Sequence, residues 1–350
     1  HILYDKDETD FNFSADLNGI LHGNLLPNLL LILNHQIYTD WLNLWYLLSR
    51  SRFGNCVHIF LKDMLWIPIL GSGMKTYNFF FLSRKWEKDK VLITNQLLEI
   101  DANARGYGPA NGVKQVSRAN VTGSKYVKWP SGNIPTISTS NSKVSPQVWP
   151  YEIILFPEGT VPSRGARERS RKYCENKGIK PLENVLLPRV RGMFLTLRKL
   201  RKTVEYVYDI SVGYSGLKKG ENGEDIFTLQ RFFLFGDGPK NVHFHIQKWK
   251  IADIPLGDDL LGTEIEDIDD VDPETLQKFE DWLFDLWRDK DAKLEFFFKE
   301  GSFAFNDNIK TVSGKLISVS YFDVITPFLP LISVLLLLRV LWIGLARFLF

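Results

Sequence analysis

His35 and Asp40 stand five residues apart in Asn34-His35-Gln36-Ile37-Tyr38-Thr39-Asp40, and both side chains are of the kind that moves protons. Histidine titrates near neutrality, and a carboxylate within reach fixes its tautomer and stabilises its charged form. Such a pair is a general base able to take a proton from an alcohol. The same residues also fit a simpler arrangement, a histidine at a strand end and an aspartate helping to cap the next helix; taken alone, the pair leaves both open. Further along lies Phe156-Pro157-Glu158-Gly159-Thr160, where Gly159 lets backbone N–H groups approach an anion. Arg84, closing Asn78-Phe79-Phe80-Phe81-Leu82-Ser83-Arg84, offers the planar fork of donors that suits a phosphate. Glu158 is an awkward neighbour for a phosphate, so its carboxylate is expected to accept from a hydroxyl or to hold Arg84. Thr160 also fits a plain turn position.

The elements that must position these residues are legible in part. Leu29 to Leu33 is a short apolar run bounded by Pro27 and Asn34, which reads as a buried strand ending at the histidine. Asp40 to Arg52 reads as a helix with Thr39 as N-cap. Val57 to Phe60 is a second strand, and Lys85 to Ile100 an amphipathic helix. Glu152 to Phe156 is a strand running into the Glu158 block, and Ser163 caps a helix that ends at Gly178. Asn184 to Leu187 reads as another strand closed by Pro188, followed by a helix from Gly192 to Leu200. Val204 to Gly213 and Val242 to Lys250 alternate as strands do; His243 and His245 on the latter are expected to be structural. Strands separated by helices of this length imply an α/β fold, a mostly parallel central sheet flanked by helices. Asp272-Pro273 starts a last domain helix that places Phe279, Leu283, Leu286 and Trp287 on one face and ends at Gly301.

These boundaries divide the chain into four parts. An N-terminal segment (1–27) precedes an α/β domain (28–256), which carries a flexible insertion at 101–149, rich in Gly, Ser, Asn and Pro. An acidic linker and amphipathic helix (257–301) follow, then a polar linker and a hydrophobic segment (302–350). Val324 to Leu338 is free of charge before Arg339 interrupts it, and a membrane-associated C-terminal helix is expected there. The chain opens on His1 without a signal-peptide pattern, so its native N-terminus is expected to lie outside this sequence.

Bulk numbers bound the partners. A net charge of +2 is too small to imply nucleic acid, and no nucleic-acid motif accompanies the basic run Arg164, Arg167, Arg169, Arg171, Lys172 or the later Arg189, Arg191, Arg198, Lys199, Arg201 and Lys202. That run fits a solvated helix face, and equally suits anionic headgroups and coenzyme A phosphates. Cys56 and Cys174 lack metal-ligand spacing and read as free thiols; no metal or cofactor is expected.

Four blocks in order, Asn34-His35-x4-Asp40, Phe81-Leu82-Ser83-Arg84, Phe156-Pro157-Glu158-Gly159-Thr160 and Val185-Leu186-Leu187-Pro188, resemble the glycerophospholipid acyltransferases of the 1-acylglycerol-3-phosphate type. Asn-His-Gln-x-Tyr-x-Asp-Trp is similar to their eukaryotic lysocardiolipin and lysophosphatidylinositol branch, fungal members above all. The resemblance implies transfer of a fatty acyl group from acyl-CoA to a lysophospholipid hydroxyl, with His35 as base and Asp40 as its orienting partner. It further implies that Arg84, Glu158, Gly159, Thr160, Phe81 and Pro188 serve the phosphate-bearing acceptor. Lysophosphatidylinositol is the first acceptor expected and lysophosphatidic acid the second. Partners are then acyl-CoA, the lysophospholipid and the bilayer, at the endoplasmic reticulum membrane, with the catalytic domain on the membrane surface. No serine or cysteine sits in a nucleophile-elbow pattern, so direct transfer is expected rather than an acyl-enzyme. The chain departs from the family at Val161-Pro162, where more polar residues are usual. A catalytically silent lipid-binding or scaffold protein on the same fold would not need His35.

Overall fold

The computed structural model describes residues 1–8, 12–51, 53–66, 70–104, 127–128, 150–201, 203–258, 264–265, 271–315, 322 and 326–349. Among these, one large sheet is built from β1 (Ile2–Asp5), β2 (Asn28–Leu33), β3 (Val57–Lys62), β4 (Phe80–Leu82), β5 (Tyr151–Leu155), β6 (Tyr206–Tyr214), β7 (Val242–Lys250) and β8 (Ile309–Val312). Their order across the sheet is β8-β1-β7-β6-β2-β5-β3-β4. β2 runs parallel to β5 and β6, β3 runs parallel to β5 and β4, and β1 parallel to β7; β7–β6 and β1–β8 are antiparallel. The expected α/β class and mostly parallel sheet are therefore observed.

All six residues of β2 are buried, as a central strand covered on both faces requires. Successive side chains alternate between faces. Leu30 and Ile32 enter one core cluster, with Phe194, Leu197, Phe279, Leu283 and Trp287. Leu29, Leu31 and Leu33 enter the other, with Leu44, Leu47 and Leu48. Helix α1 (Asp40–Arg50) covers the second face. α2 (Leu70–Thr76) leads to β4, and α3 (Trp86–Ala104) follows it. α4 (Arg164–Lys177) begins where Ser163 accepts from the Ala166 N–H at 3.2 Å. α5 (Val190–Leu200) packs on the first face. Two short helices, α6 (Gly223–Ile226) and α7 (Leu229–Phe235), follow β6. α8 (Pro273–Glu300) is capped by Asp272, whose carboxylate accepts from the Thr275 N–H at 3.1 Å. Phe279, Leu283, Leu286 and Trp287 are all buried, which matches the expected face of that helix.

Three expectations need revision. Asn184 to Leu187 is not a strand. Side chains take the backbone donors that a ladder would use: the Asp291 carboxylate accepts from Asn184 N–H at 2.6 Å and Val185 N–H at 3.3 Å, Glu158 from Leu186 N–H and the Ser170 hydroxyl from Leu187 N–H. Thr39 precedes α1 but makes no side-chain cap. The insertion expected at 101–149 starts later, because 101–104 complete α3 and Val127–Lys128 pair with Glu264–Ile265; the rest of it lies outside the described residues. Beyond the expected strands, Ile2–Asp5 and Ile309–Val312 extend the sheet as neighbours.

The C-terminal helix α9 (Leu329–Leu349) leaves Leu335, Leu336, Leu337, Leu338, Leu341 and Trp342 between 55% and 71% exposed. Four consecutive positions point to all sides of a helix, so this one has no buried face over that stretch. Among the described residues, no helix is long and apolar enough to cross a membrane.

Candidate active site

Because β2 to β6 run in one direction, the residues after β2, β4 and β5 emerge at one edge of the sheet. In open α/β sheets that edge is where ligands bind. His35 follows β2, Arg84 follows β4, and Glu158 and Gly159 follow β5.

His35 Nδ1 lies 2.7 Å from Asp40 Oδ2. The carboxylate accepts, so Nδ1 carries the proton and the Nε2 lone pair is left for chemistry. Asp40 is held by more than the histidine: Oδ2 accepts from the N–H groups of Gln36 at 2.6 Å and Ile37 at 3.2 Å, and Oδ1 from the Tyr214 hydroxyl at 2.5 Å. The capping reading of Asp40 does not hold, because its carboxylate bonds N–H groups ahead of α1 and none within it; it knits the strand-to-helix turn and orients the histidine. Tyr214 in turn accepts from the Asn43 amide at 3.3 Å. Burial first, then the neighbouring Asp40 charge, pushes the Tyr214 phenol well above its ordinary value, so it stays a donor. Phe156 stacks on the imidazole at 4.4 Å between ring centroids, which limits its rotation. The His35 side chain is 16% exposed against 0% for Asp40, so a ligand reaches the base and water does not reach its partner.

Glu158 is buried. Its carboxyl accepts from the His35 N–H at 3.2 Å, from the Leu186 N–H at 3.2 Å and from the Trp287 indole N–H at 3.4 Å. It does not hold Arg84, which is exposed. Desolvation pushes its pKa up to about 8, with the backbone donors opposing. Glu158 therefore acts as a strut that ties β5 to the His35 loop, to the Leu186 segment and to α8. Below it, Lys290 of α8 is fully buried, paired with Asp209 and donating to the Ile210 carbonyl at 2.8 Å. Burial pulls the Lys290 ammonium below its ordinary range against the attraction of Asp209.

Gly159 adopts φ +71°, and a Cβ there would lie 3.0 Å from the Arg189 Nε. Glycine thus supplies both the left-handed turn and the room for a guanidinium beside it. The Arg189 N–H donates to the Pro157 carbonyl at 2.8 Å, which locks the buried Pro188 alongside the block. Burial, then the charges of Arg84 and Arg169, lowers the Arg189 pKa, so three guanidiniums share this region. Arg84 itself sits at φ +64°, a conformation that costs a non-glycine residue of order 1 kcal/mol. The Asp89 carboxylate holds the preceding turn, accepting from the Ser83 N–H and hydroxyl at 2.8 Å each. Thr160 is half-buried and Phe81 packs inward against the second core cluster. His243 and His245 are buried on β7, two strands across the sheet from β2 and level with Gly213 and Ser211 of β6, with burial pushing their rings down to about 4 and about 3.

Sequence reasoning missed Tyr214, Trp287 and Lys290 in this setting, and it did not single out Arg189 from the basic run. The strand-end position of Tyr214 was the available signal for the first. Nothing local marks the others.

The acyltransferase family model matches residues 21–215. A 2-acyl-1-lysophosphatidylinositol acyltransferase of Saccharomyces cerevisiae is 42% identical over 80% of this chain and 64% of its own length. A lysocardiolipin acyltransferase 1 of Danio rerio is 25% identical over 77% of this chain and 52% of its own. A lysophosphatidylinositol acyltransferase 10 of Caenorhabditis elegans is 27% identical over 77% and 53%. The chain thus spans between half and two-thirds of the length of these relatives. No solved structure matches it.

Proposed function

This chain belongs to the acyltransferase family, and from that premise we propose that it moves a fatty acyl group from acyl-CoA to the free hydroxyl of a lysophospholipid. The observation that carries the reading is the 2.7 Å contact of His35 Nδ1 with Asp40 Oδ2, at an edge shared with Glu158, Gly159 and three arginines. With Nδ1 committed to Asp40, Nε2 takes the proton of the acceptor hydroxyl as its oxygen attacks the thioester carbonyl. A C–O bond forms, the tetrahedral oxyanion collapses, the C–S bond breaks, and the proton passes from Nε2 to the sulfur of coenzyme A. Arg84 and Arg189 hold the acceptor phosphate. Thr160 lines the acceptor site, Gly159 gives it room, and Phe81 and Pro188 support it from beneath.

Lysophosphatidylinositol is the preferred acceptor on this reading and lysophosphatidic acid the second; the support is the printed name of the yeast relative. We place the enzyme at the endoplasmic reticulum membrane, with the catalytic domain on the surface and α9 seated in the lipid. The exposed leucines of α9 favour such a seat, and Arg339 within it disfavours a straight crossing. A panel of lysophospholipids with acyl-CoAs of several chain lengths, read by product mass, tests the reaction. Phosphatidylinositol, formed from lysophosphatidylinositol, is the product expected, and absence of acylated product from every acceptor overturns the reading.

A further inference from the structure

The edge of the sheet that carries His35 is apolar on both flanks. In the parallel run β6-β2-β5-β3-β4, β2 and β5 deliver His35 and Glu158 at the centre. Beyond β6, α7 reads Leu229-Gln230-Arg231-Phe232-Phe233-Leu234-Phe235 and buries none of its residues. Leu229, Phe233, Leu234 and Phe235 are 46%, 62%, 71% and 72% exposed. On the opposite flank, the turn after β3 leaves Leu65 and Trp66 43% and 79% exposed. A monomeric protein in water rarely keeps so many large apolar side chains together on one side.

α7 is fixed in place. The Thr228 hydroxyl accepts from the Arg231 N–H at 3.1 Å, and Arg231 pairs with Asp237 across the Gly236 turn. The preceding α6 is seated against the catalytic loop: a Cβ at Gly223 would collide with the Gln36 carbonyl, and the Tyr38 hydroxyl donates to Glu224 at 2.6 Å. The apolar flank is therefore coupled mechanically to the His35–Asp40 turn. Arg84, Arg169 and Arg189 share this edge and form no ion pair among the described residues.

We propose that this edge docks on a lipid bilayer, with Phe233, Leu234, Phe235 and Trp66 in the boundary between headgroups and acyl chains and the arginines level with anionic headgroups. Aromatic and leucine side chains on two flanks with unpaired cations between them complement an apolar layer under a negatively charged one. A protein partner would have no need of apolar contacts on both sides of a catalytic mouth. The inference rests on the reading that the acceptor is a lipid. It adds that the mouth itself meets the membrane, so that the acceptor need only raise its hydroxyl and phosphate out of the bilayer. α9 would then attach the chain, while α7 and Trp66 would orient it.

A label at the tip of α7 tests this in the full chain. In a Cys56→Ser background (Cys174 is buried), Leu234→Cys is modified with an environment-sensitive fluorophore and mixed with vesicles of equimolar phosphatidylcholine and phosphatidylserine. The label is expected to shift to the blue and to be quenched by brominated lipid. The same label at Asn55→Cys, at the opposite edge of the sheet, is expected to keep its aqueous emission. If the label at 234 keeps its aqueous emission while the protein sediments with the vesicles, the proposal is wrong. The triple change Phe233→Ser, Leu234→Ser, Phe235→Ser, all exposed positions, should lower turnover of vesicle-embedded acceptor by roughly ten-fold or more, with turnover of a short-chain, water-soluble acceptor retained. Equal loss on both acceptors also overturns it. Because the fluorescence readout needs no catalysis, failure of the docking surface and failure of the acyltransfer reading are told apart.

Discussion

At the scale of single residues, the site depends on two carboxyl groups held in different ways. Asp40 is surrounded by four donors and serves as an acceptor for a histidine. Glu158 is buried among fewer and longer bonds, and desolvation moves its pKa from its ordinary 4.5 to about 8. The sign of the linkage follows. Between those two values the folded chain holds a proton that the unfolded chain has released, so stability present below the lower value is lost as pH rises through that window. The buried His243 and His245, pushed below their ordinary 6.5, pull the other way up to about that pH, so denaturant unfolding from pH 6.5 to pH 8 should show stability falling with pH, by at most about 1.4 kcal/mol per pH unit from Glu158. Glu158→Gln should flatten the slope; an unchanged slope would show that Glu158 is ionised in the fold. Glu152, also buried and with no hydrogen-bond partner for its carboxyl among the described residues, is raised by the same desolvation and adds to the fall. His35, Asp40, Glu158 and Gly159 could be read as a site from residue type and spacing. For Tyr214 the only signal was its place at a strand end; its bond to Asp40 joins residues 174 positions apart, a separation that no local pattern encodes.

At the scale of elements, α8 supports the site from outside the region that the family model matches. Trp287 reaches Glu158 and Lys290 reaches Asp209 from the same helix. Removing one partner of a buried ion pair strands the other charge, at a cost of about 3–5 kcal/mol, whereas replacing both with apolar groups is often neutral. Lys290→Met should accordingly destabilise the chain by that order in a denaturant melt, and Lys290→Met with Asp209→Leu should recover most of the loss. If the double variant were no more stable than the single one, the pair would not be the cause. The amphipathic face of α8 and the leucine run of β2 were legible because burial imposes a period on the sequence. Asn184 to Leu187 misled for a physical reason. It is as apolar as a strand, yet Asp291, Glu158 and Ser170 occupy its N–H groups. Side-chain donors and acceptors from distant elements leave no trace in a hydrophobic pattern.

At the scale of the whole molecule, the first strand meets one from far along the chain. Ile2–Asp5 lies between Val242–Lys250 and Ile309–Val312, so residues distant in sequence become neighbours. Four-residue strands flanked by polar residues fall below what periodicity can detect, which is why neither strand was expected there. Beyond β8 the chain continues to α9, whose exposed leucines have no cover in the described fold. Removal of residues 326–350 should shift the protein from the vesicle pellet to the supernatant in a sedimentation assay. It should leave turnover of a water-soluble short-chain acceptor within about two-fold, since no group of the His35 site lies on that helix. Unchanged sedimentation would contradict an anchoring role for α9.

The central claim is that His35, oriented by Asp40, is the base of an acyl transfer. The direct measurement is release of coenzyme A from acyl-CoA in the presence of lysophosphatidylinositol, by the unaltered chain and by His35→Ala at matched vesicle binding. We expect release by the former and a fall of about 10²–10⁴ in the latter, the contribution of a positioned base. Release by His35→Ala at the rate of the unaltered chain would contradict the claim.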